Sequence, residues 1–161
     1  MNVKQKDLLV LSCLRQDARM KLTQMSRLTR LPVSTLYDRI KMYKDEAVVR
    51  KYASLLRFDR LGFHARAIIA FAAKGKDKEK LFEILNSSWN VNSLYKINNG
   101  FDFMAEALFP GVREVEEFLE SIEEKVMLKK KKVLYVLKEL KKEEFLSSPQ
   151  RQMLGGFENE N

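Results

Sequence analysis

The 161-residue sequence is poor in two residue types that carry much of protein chemistry, because it contains one cysteine and one histidine. A single cysteine excludes a disulfide framework within the chain and is typical of the reducing cytoplasm, where we expect this protein to be. Cys13 lies among leucines and far in sequence from the histidine, His64. We therefore predict that Cys13 is a small packed hydrophobe rather than a nucleophile.

Long apolar runs are also missing. No apolar segment approaches 18 residues, so a membrane-spanning helix is not expected. The apolar patch near the N-terminus is too short, and too quickly followed by charge, to be a secretory signal. The residues present predict no catalytic site, no metal site and no cofactor.

Positive charge is concentrated in the first part of the chain. Residues 1–64 contain 14 Lys+Arg and 6 Asp+Glu, whereas residues 65–161 contain 16 of each class. A basic segment joined to a neutral one indicates that the first segment binds a polyanion and that the second has another task. The alternative is that a small domain is basic without functional meaning.

Helical periodicity predicts three short helices within residues 1–50. The first carries Val10 and Leu14 on its apolar side, the second covers residues 23–30 with Thr23 as N-cap, and the third runs to about Asp45. Pro32 is well tolerated in a first helical turn. Three short helices with a tight connection before the third predict a helix-turn-helix domain of winged-helix-like type.

The third helix has an unusual outer face. Its inner stripe is predicted to consist of Val33, Leu36, Ile40 and Tyr43. Hydroxyl and acidic side chains near the start of such a helix can reach base edges in the DNA major groove. The residues predicted to read bases are Ser34, Thr35, Tyr37 and Asp38. The residues predicted to contact phosphates are Arg27, Arg30, Arg39, Lys41 and Lys44.

Two of these residues also have simpler interpretations. Asp38 is correctly spaced for an intrahelical ion pair with Lys41, and Ser34 is close enough to the helix start to be a capping hydroxyl.

The second half of the chain predicts an α+β domain of β-α-β-β-α-β order, the ferredoxin-like arrangement. The predicted strands are residues 65–73, 91–99, 101–109 and 131–140. The residues expected to face inward from the two helices are Leu81, Phe82, Leu85, Val112, Val115, Phe118, Leu119 and Ile122. Helices would cover one face of the antiparallel sheet, and a second subunit is the simplest cover for the other face.

The lysine run at residues 129–132 is interpreted as solvating the entry to an edge strand, with a nucleic-acid patch as the alternative. The expected organisation is a helix-turn-helix domain at residues 1–50, a linker at 51–64, a ferredoxin-like domain at 65–145 and a disordered tail at 146–161. Met153, Leu154 and Phe157 leave a docking role for that tail open.

Several motifs in the right order resemble the Lrp/AsnC, or feast/famine, transcription regulators. LRQDAR corresponds to the family's L-x-x-DAR opening, STLYDRI to its S-T-x-x-x-R-I recognition helix, RLGF to its linker, and INNGFDFMAEALF to its G-D-Y-D turn and third strand. The similarity covers about residues 4–145. It implies a DNA-binding domain followed by a ferredoxin-like regulatory domain.

The resemblance also implies partners. They are double-stranded DNA, a second copy of the chain in a homodimer that assembles further into tetramers or octamers, and a small effector, usually an amino acid. By position the effector site is Asn99, Gly100, Phe101 and Asp102, with backbone amides around Gly100 receiving a carboxylate and Asp102 pairing with an ammonium. The simpler interpretation of Asp102 is a turn residue bonded to nearby backbone.

This sequence departs from the family at three places. Asn99 and Gly100 stand where the family has Gly-Asp, and Arg30 and Ala47 stand where glycines are common. One competing function is an architectural DNA-binding protein without an effector. The other is an enzyme similar to the sirohaem decarboxylases, which have a related architecture. General acid chemistry in such an enzyme would require a histidine, and His64 is the only one in the sequence.

Overall fold

The computed structural model describes residues 4–149, which form two compact units. One unit contains residues 4–55 and 140–149, and the other contains residues 56–139. The expectations for the tail beyond residue 149, including Met153, Leu154 and Phe157, lie outside the described residues. No helix within residues 4–149 is long and apolar enough to cross a membrane.

The first unit contains the three predicted helices, α1 Gln5–Gln16, α2 Leu22–Thr29 and α3 Val33–Asp45. Their apolar sides enclose one core, whose buried residues are Val10, Cys13, Met25, Leu31, Leu36 and Tyr43. Cys13 is fully buried, and this burial raises the pKa of its thiol. The prediction that Cys13 is a small packed hydrophobe is therefore confirmed.

Three details of this unit differ from expectation. Helix α2 begins at Leu22 with Lys21 as its N-cap, so Thr23 lies inside the first turn rather than at the cap. Val33 is 42% exposed because it is the first residue of α3, before the apolar stripe turns inward. Residues 4–55 and 140–149 contain no β-strand, so the described part of the first unit has no β-hairpin wing.

The turns that follow α2 and α3 adopt left-handed backbone conformations without glycine. Arg30 ends α2 with φ of 55°, and Ala47 follows α3 with φ of 55°. Ser26 supports the first turn by donating its hydroxyl to the Leu31 carbonyl at 2.6 Å. These are the two positions at which the family resemblance implies glycine, and in this chain both have the left-handed conformation that glycine adopts most readily.

The second unit opens with a 3₁₀ helix at Phe58–Leu61 and continues as a βαββαβ chain. Its strands are β1 Ala65–Ala73, β2 Val91–Lys96, β3 Phe103–Phe109 and β4 Leu128–Tyr135; its helices are α4 Lys78–Ser87 and α5 Val112–Glu123. The antiparallel sheet has the order β2-β3-β1-β4. The predicted fold class is confirmed.

The two helices cover one face of this sheet. The alternate residues of β1 from Ala65 to Ala73 lie in the core beneath them. Phe82 and Val112, both predicted to face inward, are exposed. Phe82 lies on the flank of α4 with its ring 5.9 Å from that of Phe103, and Val112 is the first residue of α5.

The last strand begins earlier and ends earlier than predicted, so the lysine run at residues 129–132 lies within edge strand β4 and not at its entry. Lys131 pairs with Glu123 of α5 at 2.8 Å. Lys130 and Lys132 pair in register with Ala72 and Ala70 of β1. Charged side chains along an edge strand discourage pairing with another sheet edge.

Residues 140–149 belong to the helical unit because Arg15 binds them. Its Nε donates to the Phe145 carbonyl at 3.1 Å and its Nη2 to the Glu143 carbonyl at 2.9 Å. Its Nη1 lies 2.8 Å from the Glu143 carboxylate. The grouping in the structure therefore differs from the expected boundaries, since residues 56–64 group with the sheet and residues 140–145 with the helices.

Candidate nucleic-acid interface and effector turn

The outer face of α3 carries polar side chains that form no hydrogen bond or ion pair with any residue from 4 to 149. Ser34, Tyr37, Asp38 and Lys41 are exposed, and Thr35 is half-buried. Within residues 4–149, Asp38 and Lys41 form no ion pair with each other. The N-cap of α3 is Pro32, with no side-chain cap, so Ser34 is not a capping residue. The simpler interpretations of Asp38 and Ser34 therefore do not apply.

Basic residues lie close to this face. Tyr37, Lys41 and Lys44 line a shallow cavity of about 190 Å³ together with Leu22 of α2. The Lys44 ammonium also lies 5.1 Å from the centre of the Tyr52 ring. Arg27 and Arg30, at the end of α2, are exposed. Hydroxyls and one carboxylate flanked by ammonium and guanidinium groups suit base edges flanked by phosphates.

Arg39 differs from the prediction that it contacts phosphate. Its guanidinium turns inward and pairs with the buried carboxylate of Asp7 on α1. The same Asp7 oxygen accepts a hydrogen bond from the Tyr43 hydroxyl at 2.6 Å, and its other oxygen accepts one from the Lys4 amide at 2.9 Å. Arg39 and Tyr43 are one helical turn apart on α3, so both can reach the same carboxylate.

Asp7 is the residue that the sequence prediction missed. It stands three residues before Val10 and seven before Leu14, in line with the apolar stripe of α1. A lone acid within an apolar stripe signals a buried carboxylate that needs a partner. Burial acts to raise the pKa of Asp7, but the hydrogen bonds from Tyr43 and Lys4 and the charge of Arg39 outweigh it and lower that pKa.

The candidate effector turn connects β2 and β3. Asn99 and Gly100 have φ of 59° and 77°, and the turn closes with the Ile97 amide bonded to the Asp102 carbonyl at 3.0 Å. The Asp102 amide donates to the Phe71 carbonyl of β1 at 2.8 Å. The turn is thus fixed to the middle of the sheet.

The Asp102 side chain has internal partners. One carboxylate oxygen accepts the Ala73 amide at 3.0 Å and the other pairs with Lys78. Burial acts to raise the pKa of Asp102, but the hydrogen bonds from Lys78 and Ala73 and the charges of Lys78 and Lys129 lower it overall. The simpler interpretation, a turn residue bonded to nearby backbone, therefore describes Asp102, and the ammonium it pairs with belongs to its own chain.

Among residues 4–149, no group of three His, Cys, Asp or Glu side chains is placed to hold a metal ion. His64 is exposed, and its amide bonds to the Pro110 carbonyl.

The fold matches solved structures over almost the whole chain. A transcriptional regulator of Neisseria meningitidis in complex with L-Met aligns with a TM-score of 0.80 and 22% identity, covering 88% of this chain and 94% of that one. B. subtilis LrpC gives 0.80 and 18%, covering 88% and 99%. E. coli AsnC gives 0.79 and 16%, covering 88% and 97%. The chain has the Lrp/AsnC fold.

The sequence relatives of this chain include proteins named as helix-turn-helix transcriptional regulators. An uncharacterised HTH-type transcriptional regulator of Pyrococcus furiosus is 26% identical over 122 residues, which is 76% of this chain and 82% of that protein. The HTH-type transcriptional regulator FL11 of Pyrococcus abyssi is 23% identical over 113 residues, 70% and 75% respectively. No protein-family model matches the sequence. The family resemblance predicted from the motifs is confirmed by these relatives and structures.

Proposed function

We propose that the protein is a sequence-specific DNA-binding transcription regulator whose helix α3 enters the major groove. The observation that carries this proposal is the outer face of α3, where Ser34, Tyr37, Asp38 and Lys41 are exposed in the most basic part of the chain. A helix with that composition matches the donor and acceptor pattern of base edges. The relatives are named as transcriptional regulators, which supports a regulatory rather than an enzymatic function.

The proposal assigns two roles to the residues of this interface. Ser34, Thr35, Tyr37 and Asp38 read bases, because they lie on the early, outward part of α3. Basic residues hold the phosphates; they are Arg27, Arg30, Lys41 and Lys44. Arg39 contributes to DNA binding by holding α3 in place rather than by contacting phosphate, since its guanidinium is paired with Asp7.

The face of the sheet opposite the helices supports self-association. Ile68 of β1 lies opposite Leu134 of β4, and Ala70 lies opposite Met104 of β3. Leu134 is 50% exposed, although it stands in a regular strand. A homodimer that buries this face would place two α3 helices on one duplex, and such dimers can assemble into tetramers or octamers.

An effector is the remaining part of the proposal. The L-Met in the complex of the Neisseria meningitidis regulator supports metabolite control in this fold. In this chain we place the effector site at Asn99, Gly100, Phe101 and Asp102. A regulator of chromosomal DNA with these properties acts in the cytoplasm.

Selection of bound fragments from genomic DNA, followed by gel shifts at several salt concentrations, tests this function. We expect a preferred duplex whose affinity falls steeply with salt, with a log-log slope of about −0.9 for each phosphate contacted. Asp38→Ala or Ser34→Ala should change the preferred sequence, whereas Lys41→Met should weaken binding to all sequences alike. Equal affinity for all duplexes would indicate an architectural function instead, and absence of binding at low salt would contradict both.

A further inference from the structure

Lys130 places an ammonium group against the turn at residues 98–102. Its Nζ lies 4.1 Å from the centre of the Phe101 ring, and a Cβ at position 100 would stand 3.0 Å from the same nitrogen. The neighbouring Lys131 pairs with Glu123, but within residues 4–149 Lys130 forms no ion pair. The absence of a side chain at Gly100 is therefore what allows the ammonium to come so close.

The turn also presents backbone donors beside this ammonium. Asn99 and Gly100 are both exposed, and both have positive φ. Within the described part of the chain, their N–H groups make no backbone hydrogen bond. Successive N–H groups in a turn of this kind form a concavity that attracts anions.

The acidic group of the turn is already neutralised. Asp102 is bonded to Lys78 and to the Ala73 amide, which fix the entry to β3. A ligand ammonium would have to displace Lys78 from this carboxylate and leave that lysine without its partner. The one carboxylate of the turn is therefore already paired within the chain, whereas the backbone donors of Asn99 and Gly100 remain available.

The same end of the sheet is cationic. Further lysines lie at the end of β1, before α4, at the end of β2 and at the start of β4; they are Lys74, Lys76, Lys96 and Lys129. The acids at this end include Asp77, which accepts the Met127 amide at 3.0 Å, and Glu79. An anion bound at the turn meets a positive local field.

We propose that the turn and Lys130 bind a small metabolite with two or more negative charges, a polycarboxylate or a phosphate ester, and not an amino acid. The idea that this anion regulates DNA binding rests on the proposed function. Duplex DNA fits the site less well, because residues 56–139 contain 15 Lys+Arg against 13 Asp+Glu, with six of those acids in residues 112–124. One ammonium held beside a tight turn suits a ligand of small size.

Calorimetric titration of the full-length protein without DNA, at constant ionic strength, tests the site with citrate and pyrophosphate as probes. We expect saturable binding of at least one of them with one site per chain, and a loss of affinity of tenfold or more in Lys130→Met. The matched control is Lys80→Met, which removes one positive charge from the first turn of α4 and should bind as the parent does. Gly100→Ala is a second variant, since its Cβ would push the ammonium away and its φ of 77° disfavours a side chain.

Three results would overturn the inference. They are no binding of either probe at millimolar concentration, equal losses in the two lysine variants, and binding of L-methionine that Lys130→Met leaves unchanged. A weaker gel shift for Lys130→Met in the absence of any anion would identify a DNA contact instead. Because the titration contains no DNA, failure of the proposed DNA-binding function would leave its outcome unaffected, and the reverse also holds.

Discussion

The guanidinium of Arg39 on α3 is paired with the carboxylate of Asp7 on α1, and the Tyr43 hydroxyl binds the same oxygen. The orientation of the proposed recognition helix therefore depends on the first turn of the first helix. A buried ion pair of this kind contributes little net stability when complete, but removing one partner leaves an uncompensated charge. Its value lies in holding α3 at one angle.

Replacing Arg39 by Met should lower the free energy of unfolding by about 2–3 kcal/mol, because Asp7 would remain buried without its cation. It should also leave the slope of log affinity against log salt unchanged for nonspecific duplex. Lys41→Met is the matched control on the same helix, and it should change stability by less than about 0.5 kcal/mol while reducing the slope by about 0.9. Urea unfolding and gel shifts measure the two effects, and a reduced slope for Arg39→Met would show that Arg39 contacts phosphate after all.

The stability of the parent should decline in acid in a way that Asp7→Asn does not share. The pKa of folded Asp7 lies below the ordinary value of 3.8, so its stabilising contribution is complete above that pH. The contribution is lost as the pH falls from 3.8 through the folded pKa. Urea unfolding between pH 7 and pH 2.5 should show the parent and the variant converging below pH 3.8, and a constant difference would refute the assignment.

Relief of the left-handed turn after α3 should stabilise the protein. Ala47→Gly removes the side chain that strains a residue with φ of 55°. The relief of this strain should exceed the cost of the greater backbone entropy of the unfolded chain, for a net stabilisation of about 0.5–1 kcal/mol. Ala53→Gly is the control in the same unit, at an exposed residue with no positive φ, and should destabilise by about 0.4–1 kcal/mol. Thermal unfolding of the two variants measures the difference, and destabilisation by both would contradict the backbone argument.

Charge on the open face of the sheet should prevent self-association. Ile68→Glu would bury a carboxylate in the proposed dimer interface, opposite Leu134. Light scattering coupled to size exclusion should report a monomer, or a dimer at least tenfold weaker than the parent. Leu137→Glu, just beyond β4, is the control and should not change the mass. A dimer that survives Ile68→Glu would place the interface elsewhere.

The sequence predicted the secondary-structure elements better than it predicted which side chains interact. Helical stripes and the βαββαβ order followed from hydrophobic spacing, because burial imposes that spacing on each element by itself. The role of Arg39 did not follow, since it depends on Asp7, which is distant in sequence. For Asp102 the sequence offered the interpretation as a turn residue, but it did not identify the partners Lys78 and Ala73. From sequence alone, a basic residue on a helix is predicted to be exposed. Its burial can be predicted only when the acidic residue that pairs with it is known.

The bonds from Arg15 to residues 143–145 affect how the helical unit can be isolated. That unit is discontinuous in sequence, because the chain leaves it near residue 55 and re-enters it near residue 140. A recombinant fragment ending at the RLGF junction would lose the bonds from Arg15 to residues 143–145. It would also expose Leu11, Leu14 and Val49, which line a cavity of about 780 Å³ together with Leu146. Weak DNA binding or poor solubility of such a fragment would then result from the loss of residues 140–149, which cover these apolar side chains. It would not show that the helical unit is unable to bind nucleic acid.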